Sequence, residues 1–221
     1  MAEFLDRGEA GRRLAGELDA WRGGGGVVVG LPRGGVEVAF EVASLLDLAL
    51  DVLIVRKLGV PSQPELAMGA IGEHGVVVRD ELVLAGAAIS PETFERVEAR
   101  ERAQLETREQ RYRLGAPRLS LAGGVIIIVD DGVATGSTAR AACQVARARG
   151  AREVIVAAPV IAAQSIELLA SVADQVIAVS APRDLGAVGQ WYQHFEATSD
   201  DDVVELLDRA RRRRPGSTVN R

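Results

Sequence analysis

Cysteine, histidine and aromatic side chains are scarce in this chain of 221 residues, which holds one Cys, two His, two Trp, two Tyr and four Phe. With Cys143 alone no internal disulfide can form, and a reducing cytoplasm is the expected home. His74 and His194 lack metal-ligand spacing, so no zinc site and no metal-ligating residue set is expected. Aromatics at 4 % leave the core to Ala, Val, Leu and Ile, within an apolar share of 48 % that is ample for one. No run approaches the ~20 apolar residues of a membrane span, and the opening MAEFLDRGEAG is charged from its third residue, unlike a secretory leader. A net charge of −5 argues against a nucleic-acid-binding surface. Three catalytic signatures are missing as well. No G-x-x-x-x-G-K-[ST] loop, no G-x-G-x-x-G turn between a strand and a helix, and no G-x-S-x-G elbow occurs.

What is present is an alternation of short apolar runs with amphipathic segments. Leu14, Leu18 and Trp21 fall at helical spacing in 9–21, and GGGG at 23–26 stops that helix. VVVG (27–30) reads as a buried strand and LPRGG as a turn. A helix over 36–47 turns Val38, Phe40, Val42, Leu45 and Leu46 inward, and 51–57 reads as a second buried strand. Strand 125–129, helix 137–149, strand 153–158, helix 162–172 and strand 175–179 follow. This order implies βαβ units and an α/β fold with a mainly parallel twisted sheet flanked by helices. Two stretches interrupt it. Residues 58–80 suit a mobile loop with a small antiparallel excursion. Residues 91–113 form a very polar helix opened by Ser90-Pro91-Glu92, its charge run read as a solvated face. Residues 1–210 are read as one domain and 211–221 as a basic, disordered tail.

One stretch carries the chemistry: VIIIVDDGVATGST, 125–138. A buried strand ends in adjacent carboxylates, Asp130 and Asp131, which repel unless a polyol, a cation or hydrogen-bond donors satisfy them. Ligands of open parallel sheets bind beyond the carboxyl ends of strands, where these acids fall. The segment from Ala134 through Thr135, Gly136, Ser137 and Thr138 then opens a helix whose unpaired N–H groups suit a phosphate. Two hydroxyl-reading acids beside a phosphate cradle describe a site for a phosphorylated sugar.

IIIVDDGVATGST resembles the phosphoribosyl pyrophosphate (PRPP) motif of the type I phosphoribosyltransferases, and the resemblance covers roughly residues 24–200. It implies that Asp130 and Asp131 contact the ribose hydroxyls and that residues 134–138 hold the 5′-phosphate. GLPRGG (30–35) sits where the family has its pyrophosphate loop, with Arg33 as a cation and Gly34 and Gly35 offering backbone N–H groups. Without the downstream motif the same hexapeptide would pass for a plain strand-to-helix turn. VRKLGVPSQPELAMGAI (55–71) is similar to the stretch leading into the loop that closes the site, which makes Lys57 a pyrophosphate contact or, alternatively, a surface lysine. Glu65 at the far end of that loop is either a functional acid or a solvated one.

The implied reaction transfers ribose 5-phosphate from PRPP to a nitrogenous base or related small acceptor, with Mg²⁺ and release of pyrophosphate. The family's 6-oxopurine enzymes carry an acid where this chain has Ala134, which turns the expectation away from that acceptor class. Residues 182–200, with the N-terminal segment, would form the hood over the acceptor. There Trp191, Tyr192 and Phe195 either stack on a base or pin the C-terminal helix to the sheet. A second expectation, of another class, is a PRPP-binding regulator that acts through a partner or RNA without turnover. Many small residues on the helices are compatible with a homodimer.

Overall fold

The computed structural model describes residues 2–73, 75–113 and 118–213; His74 and residues 214–221 of the expected tail lie outside them. In chain order the elements are α1 (Arg7–Glu17), β1 (Val27–Gly30), α2 (Gly34–Leu46), β2 (Ala49–Val52), β3 (Val55–Val60), β4 (Gln63–Gly72) and β5 (Val77–Arg79). There follow α3 (Glu81–Gly86), α4 (Pro91–Arg113), β6 (Val125–Val129), α5 (Ser137–Ala148), β7 (Glu153–Val160), α6 (Ala163–Ala170), β8 (Gln175–Ser180) and α7 (Asp200–Arg213).

Five parallel strands make the main sheet in the order β2-β1-β6-β7-β8. Side chains alternate across it with period two. Ile127 and Val129 join the layer of α1, α2 and α7, whereas Ile126 and Ile128 join that of α5 and α6. With both faces covered, the strands read as continuous apolar runs, which is why β1 and β6 stand out in the sequence. From β1 the chain moves to one side, into β2, and later returns to its other side as β6. The switch point, where such sheets bind ligands, lies between β1 and β6. The register pairs Gly30 with Val129, and the Leu31 N–H donates to the Val129 carbonyl at 2.9 Å. The loops leaving the two strands therefore start side by side.

The run 51–57 is not one strand. Asp51 and Val52 finish β2, the chain turns at Leu53 and Ile54, and β3 opens a separate antiparallel sheet β3-β4-β5. The break is invisible in sequence because Leu53 and Ile54 are as buried as the strands they separate. The stretch 58–80, expected as a mobile loop with a small antiparallel excursion, is largely ordered in the β3–β4 hairpin and β5, the excursion grown to a sheet of its own. Leu45, expected inward, is 41 % exposed, one position past the face that buries Val42 and Leu46. Helix α7 runs to Arg213, three residues into the expected tail, because Arg213 reaches Ser44 at 2.7 Å and lies over the Phe40 ring.

Helix α4 turns Phe94, Val97, Leu105 and Tyr112 inward, and its charge run is mostly a solvated face except at two charged positions that are buried. Glu101 receives Arg56 of β3 at 2.6 Å, and Arg113 is the hub of a buried ion network. Its guanidinium donates to both oxygens of the fully buried Glu73, at 2.9 and 2.8 Å, to the Val52 carbonyl at 2.9 Å, and to Asp51. Arg118 adds a bond to Glu73 at 3.2 Å, and Asp51 also accepts the Leu119 N–H at 2.9 Å. The network ties the edge of the parallel sheet to the antiparallel one. Among the described residues no helix is long and apolar enough to cross a membrane. Replacing Arg113 by Met takes the shared guanidinium from two buried carboxylates and is expected to cost about 3 kcal/mol, the low end for a broken buried pair because Arg118 still serves Glu73 and the Leu119 N–H still serves Asp51. Urea unfolding reads the loss. The exposed Arg22–Asp19 pair is the control, at under about 1 kcal/mol for Arg22→Ala.

Candidate functional site

Strand β6 carries its apolar run into Asp130 and Asp131, both half-buried, at the switch point. The Asp131 N–H donates back to Asp130 Oδ1 at 3.0 Å. Desolvation, and then the neighbouring Asp131 charge, push the Asp130 carboxyl well above the usual carboxylate range; the Asp131 N–H and Arg7 pull the other way. Tyr192 caps the pair from the hood side, its hydroxyl donating to the Asp131 carbonyl at 2.5 Å. Burial, and then the Asp131 charge, push the Tyr192 phenol up, so it stays a donor.

Gly34 and Gly35 open α2 directly against the acids. A Cβ on Gly34 would lie 2.0 Å from Asp131 Oδ2, and one on Gly35 would lie 2.8 Å from both Asp130 Cα and the Val129 carbonyl oxygen. Glycine is required here by close approach of two loops rather than by the turn alone. No side chain caps the N-terminus of α2, which leaves its first N–H groups for a ligand. Arg33 precedes them, exposed to solvent, after a cis Pro32–Arg33 peptide.

The segment 132–138 is held from beneath. Val133 bridges Ile161, and Ser165 Oγ donates to the Ala134 carbonyl at 2.7 Å. Gly136 takes a left-handed φ of +74°, and α5 starts at Ser137 without a side-chain cap. Thr135 and Ser137 hydroxyls lie 3.3 Å apart at that helix start, with Thr138 next along its first turn. Across a cleft of about 360 Å³ lined by Glu65, Leu66, Thr135, Ser137 and Arg140, the β3–β4 hairpin faces this turn. Lys57 does not join the acids. It pairs with Glu65 across the hairpin at 3.1 Å.

Of the three hood aromatics, Tyr192 and Phe195 are occupied with packing. Tyr192 is buried between Phe4, at 5.4 Å between ring centroids, and Phe195, stacked at 4.9 Å. The Arg7 guanidinium lies 3.9 Å from the centre of the Phe195 ring. Trp191 is half-buried and donates its indole N–H to the Leu185 carbonyl at 3.0 Å. The N-terminal segment pairs with this hood, the Phe4 N–H on the Trp191 carbonyl and the Gln193 N–H on the Phe4 carbonyl, both at 2.9 Å. A Cβ on Gly132 would meet Val188 at 2.4 Å, so hood and acid loop touch.

Arg7 is the residue that sequence reasoning missed. Its Nε donates to Asp131 Oδ2 at 2.9 Å, although 124 residues separate the two. The local signal was a misfit. Arg7 is the first residue of α1, capped by Asp6, and a cation there opposes the helix dipole.

A family model, described as Phosphoribosyl transferase domain, matches residues 3–182. Two proteins of Mycobacterium tuberculosis, from strains CDC 1551 / Oshkosh and H37Rv, are each 51 % identical over 212 residues and carry provisional phosphoribosyl transferase names. The match takes in 96 % of this chain and 48 % of each relative, so the chain spans about half the length of the curated relatives it matches. A crystal structure of the protein TT1426 from Thermus thermophilus is 43 % identical, with a TM-score of 0.87 over 94 % of this chain and 98 % of that one.

Two substitutions test the glycine cradle. Gly35→Ala forces backbone against backbone and is expected to cost about 1–3 kcal/mol in urea unfolding. Gly16→Ala, in α1 with open space around it, should gain about 0.5 kcal/mol. The raised Asp130 carboxyl has its own signature. The native state keeps a proton that the unfolded chain releases near the usual aspartate range, about pH 4, so stability falls as pH rises through the raised native value. Asp130→Asn should therefore raise the melting temperature at pH 7, with the gain vanishing toward pH 4.

Proposed function

Because the chain belongs to the phosphoribosyl transferase domain family, we propose that it transfers ribose 5-phosphate from PRPP to a small nitrogenous acceptor and releases pyrophosphate. The observation that carries this reading is the interlock of Asp130 and Asp131 with Gly34 and Gly35 at the sheet's switch point.

In this reading Asp130 and Asp131 accept from the ribose 2′- and 3′-hydroxyls. The N–H groups and hydroxyls of Ala134, Thr135, Gly136, Ser137 and Thr138 hold the 5′-phosphate at the uncapped start of α5. The uncapped start of α2, with the Gly34 and Gly35 N–H groups and the Arg33 guanidinium, receives the diphosphate. As the bond between C1 and the diphosphate oxygen breaks, positive charge grows on the ribose ring and negative charge on the leaving group. Donors already aimed at the latter stabilise that separation. Lys57 reaches the diphosphate by exchanging its Glu65 partner for phosphate oxygens, as the hairpin folds over the cleft and excludes water. Holding both ends of PRPP aligns C1 for in-line attack.

Among the described residues no three acids, histidines or cysteines form a metal cage. A hard cation would arrive on the diphosphate oxygens and keep most of its water, through which Asp130 and Asp131, engaged with the ribose hydroxyls, would meet it. Magnesium bound there would neutralise charge on the leaving oxygens. Of the three hood aromatics, Trp191 has open surface and no ring stacked on it, and it flanks the acceptor in this reading. Tyr192 and Phe195 hold the hood itself.

The test is calorimetric titration with PRPP and Mg²⁺. Wild type should bind in the micromolar range, with Asp131→Asn weaker by roughly tenfold or more, the worth of a hydrogen bond to a charged group. A panel of bases scored for pyrophosphate release then finds the acceptor. Absence of binding to folded wild type would overturn the reading, and binding with no release on any base would make the protein a sensor of PRPP.

A further inference from the structure

Arg7 has three engagements, and each uses a different part of the guanidinium. Nε donates to Asp131 Oδ2 at 2.9 Å, Nη1 donates to the Glu196 carbonyl at 2.7 Å, and the flat face lies on the Phe195 ring. Glu37 of α2 stands 3.9 Å from Nη1 and is itself held by the Thr198 hydroxyl. The side chain is 8 % exposed, although its residue opens a surface helix. Gly34 closes the fourth side, since a Cβ there would lie 2.7 Å from Nε. A planar fork with a stacking face meets all of these at once. A lysine ammonium on a flexible stem cannot.

The consequence falls on Asp131. With Oδ2 turned inward to Arg7, the carboxylate has one orientation, and among the described residues no donor reaches Oδ1. Resting on the reading of this site as a PRPP site, we propose that Arg7 is a positioning residue for sugar recognition. It presents Asp131 Oδ1 to a ribose hydroxyl, and it sets the acid and the hood in one register through Glu196 and Phe195. The sugar then meets an acceptor whose rotamer is already chosen, and the ordering cost is met in the free protein. The acids of the motif are therefore only half of the sugar-reading device, the other half being supplied by the N-terminal helix.

A double-mutant cycle tests this through the partner residue as well as through Arg7. PRPP titrations with Mg²⁺ compare wild type, Arg7→Gln, Asp131→Asn and the double variant, with thermal melting of each alongside. Arg7→Gln should bind roughly tenfold to a hundredfold more weakly, the range for one charge-assisted hydrogen bond. The double variant should bind no more weakly than Asp131→Asn alone, since Arg7 acts through that carboxylate. Arg7→Lys should recover part of the loss. Wild-type affinity in Arg7→Gln, or losses that simply add, would overturn the proposal. Should Arg7→Gln fail to fold, Arg7→Lys decides: weaker binding at an unchanged melting temperature supports the assignment, and wild-type affinity sinks it. Failure of wild type to bind PRPP removes the site reading and this inference together. Binding by wild type with an indifferent Arg7 removes the inference alone.

Discussion

Two like charges on adjacent residues at the end of a buried strand must be met by something, and most of the molecule's unusual features answer that demand. At an effective dielectric near 20, unit charges 4 Å apart repel by about 4 kcal/mol. The structure lowers this cost in three ways. Asp130 is pushed toward its protonated form, Asp131 is given the Arg7 guanidinium, and the Asp131 N–H is turned onto Asp130 Oδ1. Each device needs room, which the side-chain-free Gly34 and Gly35 provide. The pair is thereby tolerated, and a polar terminus is kept at the switch point.

The hood follows from the same demand. Arg7 can lie against Asp131 only if its remaining donors and its flat face have partners. Glu196 and Phe195 supply them, and Tyr192 fixes Phe195 while bonding the Asp131 carbonyl. A chain with so few aromatic rings has placed two of them, Phe195 and Tyr192, where they hold a cation and a loop rather than in the core of the sheet.

Much of this was legible in the residues, and the limits have physical reasons. Strands β1 and β6 and helix α4 coincide with their sequence boundaries, because burial on both faces gives unbroken β-branched runs and Ser90-Pro91 marks a helix start. The acids and the small-residue turn stood out because one continuous segment, 125–138, carries them, whereas the glycine loop at 30–35 drew its meaning only from that segment. The break at Leu53 and Ile54 was hidden, since a turn buried between two sheets needs apolar residues just as strands do. Arg7, Glu73 and Arg113 gave no local pattern, for their partners lie 30 to 189 residues away. Only the misfit of a cation at the start of α1 pointed beyond the helix. The aromatic cluster at 191–195 was readable as a cluster but ambiguous in role, and only its neighbours resolve which faces are taken.

The pairing of Arg7 with the Glu196 carbonyl joins positions 189 residues apart, and that span has a consequence for how the protein comes into being. Chains grow at about 5–20 residues per second, so the two partners leave the ribosome roughly 10–40 s apart. The acid loop and both glycines are already present well before the hood is made. Asp131 itself follows Arg7 by 124 residues, and only in the remainder of that interval can Arg7 have its carboxylate while it lacks the carbonyl and the ring that fix its plane. The nascent chain passes through a stage in which the parallel sheet can be assembled while its ligand end is unfinished. Of the groups that hold the guanidinium, Phe195 and Glu196 are the last to be made.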